Sequence, residues 1–166
     1  MNICRRLALD HAWQRELANL VLETRPNDPV RARLYRLLKS ELESHAEAEE
    51  RTLYGILLCL PNCHLPARRA IHGHQKVADQ LRALEEIDMG SDEWLRRLYR
   101  LRDELEHFAW GEEELLFPAV RECLDHATAT RMTDEYAQRK STCTAVELEV
   151  APWPTECHTA STQRVS

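Results

Sequence analysis

The chain has 166 residues, the size of one ordinary domain, and its 22 Lys and Arg against 28 Asp and Glu give a formal charge of −6. That balance argues against a nucleic-acid grip, which needs a concentrated basic face to displace phosphate counterions. With 43% apolar residues, four glycines and 6% aromatics, in a sequence rich in Leu, Glu, Arg and Ala, the composition points to helices around one core and away from turn-rich sheet.

The longest apolar run, residues 56 to 60, falls far short of the ~18 residues a bilayer requires. The N-terminal Met1-Asn2-Ile3-Cys4-Arg5-Arg6 leads into charge and not into the apolar core of a signal peptide, so a soluble, cytoplasmic domain with no membrane partner is expected.

Prolines and one glycine punctuate the helices. The first predicted helix, about residues 3 to 24, carries Leu7, His11, Gln14, Ala18 and Val21 at spacings of three and four. Pro26 and Pro29 bracket a turn before the second, about 30 to 60, whose stripe holds Leu34, Leu38, Leu42, His45, Glu49, Thr52 and Ile56. Pro61 and Pro66 bracket the next connection. The third helix, about 67 to 88, carries Ala67, Ile71, His74, Val77, Leu81 and Leu84. Gly90-Ser91-Asp92 marks a third connection, with Ser91 or Asp92 able to cap a fourth helix, about 92 to 117. That helix carries Trp94, Leu98, Leu101, Leu105, Phe108, Glu112 and Leu116; Pro118 is expected to kink or stop it, with a further turn or two running to His126.

Short connections favour antiparallel neighbours, so the expected fold is all-α, an up-down-up-down four-helix bundle over residues 1–126. Residues 127–166 form a C-terminal extension expected to be partly flexible, since no sustained period runs past about residue 140. An internal repeat relates LYRLLKSELESHAEAEERTLYG, residues 34 to 55, to LYRLRDELEHFAWGEEELLFP, residues 98 to 118. The second and fourth helices therefore read as two copies of one unit.

Cysteines at 4, 59, 63, 123, 143 and 157 include no CxxC pair and read as reduced thiols. Cys59-x-x-x-Cys63-His64 has zinc-ligand character, but no fourth ligand stands at matching spacing.

Polar residues on the apolar stripes carry the chemistry. His11, His45 and His74 lie on the buried faces of three helices; Glu49 follows His45 by one turn, and Glu112 lies on the stripe of the fourth helix. One such histidine reads most simply as a hydrogen-bonded core residue. A buried carboxylate without a counter-charge is costly, however, and five polar groups at one depth on four helices balance their charges by sharing metal ions. Imidazole plus carboxylate without thiolate suits iron, manganese or zinc, and in a bundle core a pair of irons leads.

His11, then His45-x-x-x-Glu49-Glu50-x-x-Leu53-Tyr54, then His74, then His107 with Glu112-Glu113-x-x-Leu116-Phe117-Pro118 together resemble the hemerythrin-like (HHE cation-binding) domain, over about residues 3 to 125. The resemblance implies a four-helix bundle holding a non-haem di-iron centre. His11, His45, His74 and His107 would then be terminal iron ligands, with Glu49 and Glu112 as bridges. Ferritin-like bundles need Glu-x-x-His on two helices, and only Glu104-x-x-His107 fits here.

Two departures stand out. Aligned on Glu-Glu, Phe108 takes the place of His45, and His107 comes one residue early; a π-bulge near Gly111 would absorb the extra residue. The oxygen carriers of this family also place a further histidine four residues after the third-helix ligand, where this chain has Ala78; His72 faces the opposite way and reads as exposed.

An iron pair with open positions suits dioxygen, peroxide or nitric oxide, bound or turned over, as in oxidative stress defence. An iron- or redox-responsive sensor or iron-handling protein, with a structural metal site reported by Cys143 and Cys157 in the tail, is a second expectation. A metal-free interaction module leaves the striped histidines unexplained. Trp110 and Tyr54 lie within about a turn of the proposed ligands and read as packing residues able to shape access.

Overall fold

The computed structural model describes the backbone of residues 2–150 and the side chains of residues 2–142. These residues form five helices, with no strand among them. Helix α1 spans Ile3–Leu22, and the Asn2 side chain caps it by accepting from Arg5 N at 3.0 Å. Helix α2 begins at Pro29–Glu49, capped by Asp28 with Pro29 in the first turn, where a missing N–H costs nothing. It continues through a π turn, Glu50–Tyr54, into Gly55–Leu57.

Helix α3 is Pro61–Glu85 and α4 opens with Asp92–Gly111, where Ser91 accepts from Trp94 N at 3.1 Å. A second π turn, Glu112–Leu116, leads α4 into Phe117–Cys123. Helix α5 is His126–Val150.

One expectation about prolines is corrected: Pro66 lies inside α3, which starts at Pro61, six residues before the predicted start. At Pro118 the chain runs on, as expected, for about two further turns: the proline falls where the π turn returns to α geometry, at a first-turn position of Phe117–Cys123 that tolerates the lost donor.

The extension begins with structure that no period predicted. Over its first part it is a helix, α5, that packs on α1 and α2. It buries Met132, Thr133, Tyr136 and Lys140, a stripe half polar, which is why no apolar period announces it. Residues 151–166, with Cys157, lie outside the described residues, as does the side chain of Cys143. No helix among the described residues is long and apolar enough to cross a membrane.

Helix α1 packs against α2 and α4, and α3 against α4. At one end Arg31 ties the connections together: it donates to Met89 O at 3.0 Å and to Thr24 Oγ1 at 2.8 Å while lying over the Trp94 ring at 5.5 Å.

The apolar core is split in two. One cluster includes Leu7, Ala48, Leu53, Ala70, Leu116 and Phe117. The other includes Leu17, Leu42, Val77, Leu81, Trp94 and Leu105. Each of α1 to α4 contributes to both clusters, and near the level where they meet sit His11, His45, Glu49, His74 and Glu112, all buried. A fully buried Leu contributes about 1.5–3 kcal/mol, so two such clusters offset the cost of holding a polar layer between them.

Candidate metal centre

The polar layer is built by the two repeat copies and the two helices that cross them. From α1 comes His11, whose Nε2 approaches Glu112 Oε2 of α4 at 3.1 Å. From α2 come His45 and Glu49, one turn apart, with His45 Nε2 3.2 Å from Glu49 Oε2. His74 of α3 brings its Nε2 to 3.6 Å from the same Glu49 oxygen. Two overlapping triads result, His11–His45–Glu112 and His45–Glu49–His74, each with its ligand atoms within 4.8 Å of one another.

The three imidazoles share one arrangement. Each outer nitrogen, Nδ1, has a partner: Glu113 Oε1 at 3.0 Å for His11, Glu50 Oε1 at 3.0 Å for His74, and the Tyr136 hydroxyl at 2.8 Å for His45. With Nδ1 tied to these partners, each Nε2 is the nitrogen left to face the centre, free to bind a metal once it carries no proton. Facing inward, the Nε2 atoms of His11, His45 and His74, both Glu49 oxygens and Glu112 Oε2 are buried without a hydrogen-bond partner among the described residues. Buried polar atoms left unpaired cost about 1–3 kcal/mol each, more when charged, so these six, spread over the two triads, fit cations that would pair them. Nitrogen and oxygen donors without thiolate suit iron, manganese or zinc.

The electrostatics agree with that geometry. Burial, with the Glu112 charge beside it, pushes Glu49 up to about 8. Glu112 is equally buried, yet the adjacent His11 holds it below the usual carboxylate range. Burial works against a charged His11, but Glu112 and Glu113 raise it to about 9; His45 is lowered by burial. Without a metal, then, protons take the place of cations in the layer.

The π turns shape the site. Each follows or begins at a core glutamate, and by widening the helix by one residue it brings Tyr54 onto the face of Glu49 and Phe117 onto the face of Glu112. The Tyr54 hydroxyl donates to Glu112 Oε1. Phe117, its counterpart in the repeat, instead stacks on His11 with centroids 6.1 Å apart and planes 10° apart.

His107 is not brought into this group. The expected π turn exists, but its widened turn starts at Glu112, after residue 107, so it cannot rotate that position inward relative to Glu112. His107 is exposed, beside His72, on a surface cleft between α3 and α4. Phe108 occupies the inward position, with its ring 4.8 Å from that of His74. It lies so close over Gly73 that a Cβ there would meet the ring at 2.3 Å.

Sequence reasoning missed Glu50, Glu113, Asp10, Tyr136 and Lys140 as supporting residues. The repeat did hold a signal for the first two, because Glu-Glu recurs in both copies and the second Glu of each holds a histidine from a crossing helix. Asp10 accepts from Tyr136 at 2.6 Å and pairs with Lys140 Nζ at 2.9 Å. The described cysteines, Cys4, Cys59, Cys63 and Cys123, are free and join no ligand group.

The comparisons with known proteins point the same way. A family model, the hemerythrin HHE cation binding domain, matches residues 2–120. The crystal structure of a hemerythrin HHE cation binding domain-containing protein from Mycobacterium kansasii superimposes with a TM-score of 0.80 at 23% identity, covering 90% of this chain and 91% of that one, a likeness of fold. No curated protein matches the chain. With a match across most of its length, this chain belongs to the hemerythrin HHE cation binding domain family.

Proposed function

We propose that the chain is a non-haem di-iron protein that binds or turns over a small ligand such as dioxygen, peroxide or nitric oxide. His11, His45 and His74 would hold the irons through Nε2, with Glu49 and Glu112 as the shared carboxylates; His107, exposed on the outer face, is left out of the set. The observation that carries the reading is the uniform orientation of the three imidazoles, Nδ1 tied outward and Nε2 unpartnered inward.

An iron pair supplies open coordination positions and a change of oxidation state, which these ligands require. The protein's part is to fix the ligands. Glu113, Glu50 and the Tyr136–Asp10 pair set the imidazole tautomers, and Tyr54 orients Glu112. Phe117 against His11 and Phe108 against His74 flank the layer with apolar rings.

The test is the optical spectrum of the iron-loaded protein. Near-ultraviolet bands of a ferric pair that shift on adding azide or peroxide support the reading; a protein that holds iron yet is unchanged by both contradicts it. A second reading, an iron- or redox-responsive sensor, draws on α5: through Tyr136 this helix touches a proposed ligand, so metal loading has a route to the C-terminal segment. Iron-dependent protection of α5 from protease, without peroxide turnover, would favour it.

A further inference from the structure

A cavity of about 380 Å³ opens between α2 and α3 and reaches inward to the polar layer. His45, His74, Leu105 and Phe108 form its inner walls, and Ala78 stands exposed at its mouth. Gln14 lines it too, one turn beyond His11 on α1.

Gln14 is anomalous there. The residues that follow it on the buried face of α1 are Leu17, Ala18 and Val21, and a leucine at 14 would continue that face. Instead the side chain is an amide, 2% exposed, whose Nε2 has no hydrogen-bond partner among the described residues. A buried donor left unmade is destabilising, and no proposed ligand atom of the layer is its acceptor. What Gln14 does have is a cavity in front of it, bounded on the inside by two imidazoles whose Nε2 atoms also lack partners.

We propose that this cavity is the binding site for the exogenous ligand and that Gln14 donates a hydrogen bond to the ligand's outer atom. The inference rests on the di-iron reading and adds to it a route, a site and a recognition element. The class of ligand follows from the donor: a small molecule that offers one end to a metal and carries an acceptor lone pair, on oxygen or nitrogen, at the other. The small side chain of Ala78 keeps the mouth open.

The experiment uses the full-length, iron-loaded protein, with azide as the probe titrated against the change in its optical spectrum. Gln14→Leu is expected to hold as much iron per chain as the unaltered protein while binding azide about tenfold more weakly. In metal-free form the same variant should melt at a higher temperature, because an unpartnered polar group gives way to an apolar one that fits the stripe. Ala78→Phe, at an exposed position that does not endanger folding, should slow azide association without loss of iron. Unchanged azide affinity in a fully loaded Gln14→Leu protein overturns this inference and leaves the di-iron reading standing. An unaltered chain that takes up no iron overturns both.

Discussion

The Tyr136 hydroxyl lies 2.8 Å from Nδ1 of His45 and donates to Asp10 at 2.6 Å, so a helix outside the family-matched segment reaches the back of a proposed metal ligand. Lys140, one turn further along α5, pairs with the same Asp10 and with Glu41 of α2. The chain of contacts runs from His45 through a tyrosine to a buried ion pair and holds one ring orientation against the alternatives. Metal sites depend on such outer partners nearly as much as on the ligands themselves.

Tyr136→Phe keeps the packing and removes the hydroxyl. Iron affinity, measured by competition with a chelator, is expected to fall by about 10–100-fold, the usual effect of losing an outer partner. Affinity equal to that of the unaltered protein would show that His45 is oriented by packing alone.

His74→Ala and His107→Ala separate the two histidines that sequence reasoning placed together. Loss of His74 removes an inward Nε2 and should lower iron per chain, whereas His107→Ala should leave the iron content and the optical spectrum as they were. Metal analysis of both variants, prepared side by side, decides the matter.

How far the site could be read in advance depended on periodicity. His11, His45, Glu49, His74 and Glu112 fall at helical spacing among leucines, and an apolar stripe makes a polar intruder visible. Residue 107 misled because its register turns on where one π turn falls, and Glu112–Leu116 lies beyond it. The same limit hid the place of Tyr54, five residues after Glu49, on the face of that glutamate. Helix α5 was illegible for a different reason: Tyr136 and Lys140 are buried through polar contacts, and a stripe of that composition has no hydrophobic period. Helix starts at Asn2, Asp28 and Ser91 were more readable, since short polar side chains cap them directly.

Stability of the metal-free protein should fall as pH rises from about 6.5 to 8. Glu49, raised to about 8, and His11, raised to about 9, both keep protons in the folded chain that the unfolded chain has released or is releasing. A folded state that binds more protons loses stability with rising pH, here by an amount on the order of 1 kcal/mol per pH unit. His45, lowered by burial, acts below this window. Metal must displace the same protons, so iron affinity should climb as pH increases. Thermal melts with and without iron across this range check both directions; a metal-free melting point that rises with pH would refute the assignment.

Gly73→Ala tests the seat of Phe108. A Cβ 2.3 Å from the ring forces Phe108 away from His74, at a cost of about 1–3 kcal/mol. Adding Phe108→Leu, which removes the clashing ring, should recover part of the loss in a urea melt. An additive double variant would mean that the two residues do not press on one another.

Metal content per chain, in protein from iron-supplemented cells, tests most directly whether three inward imidazoles and two carboxylates hold a pair of irons. Close to two irons are expected, falling in Glu49→Ala and Glu112→Ala and unchanged in His107→Ala. Zinc alone, or no stoichiometric metal after iron-replete growth, would contradict the di-iron reading.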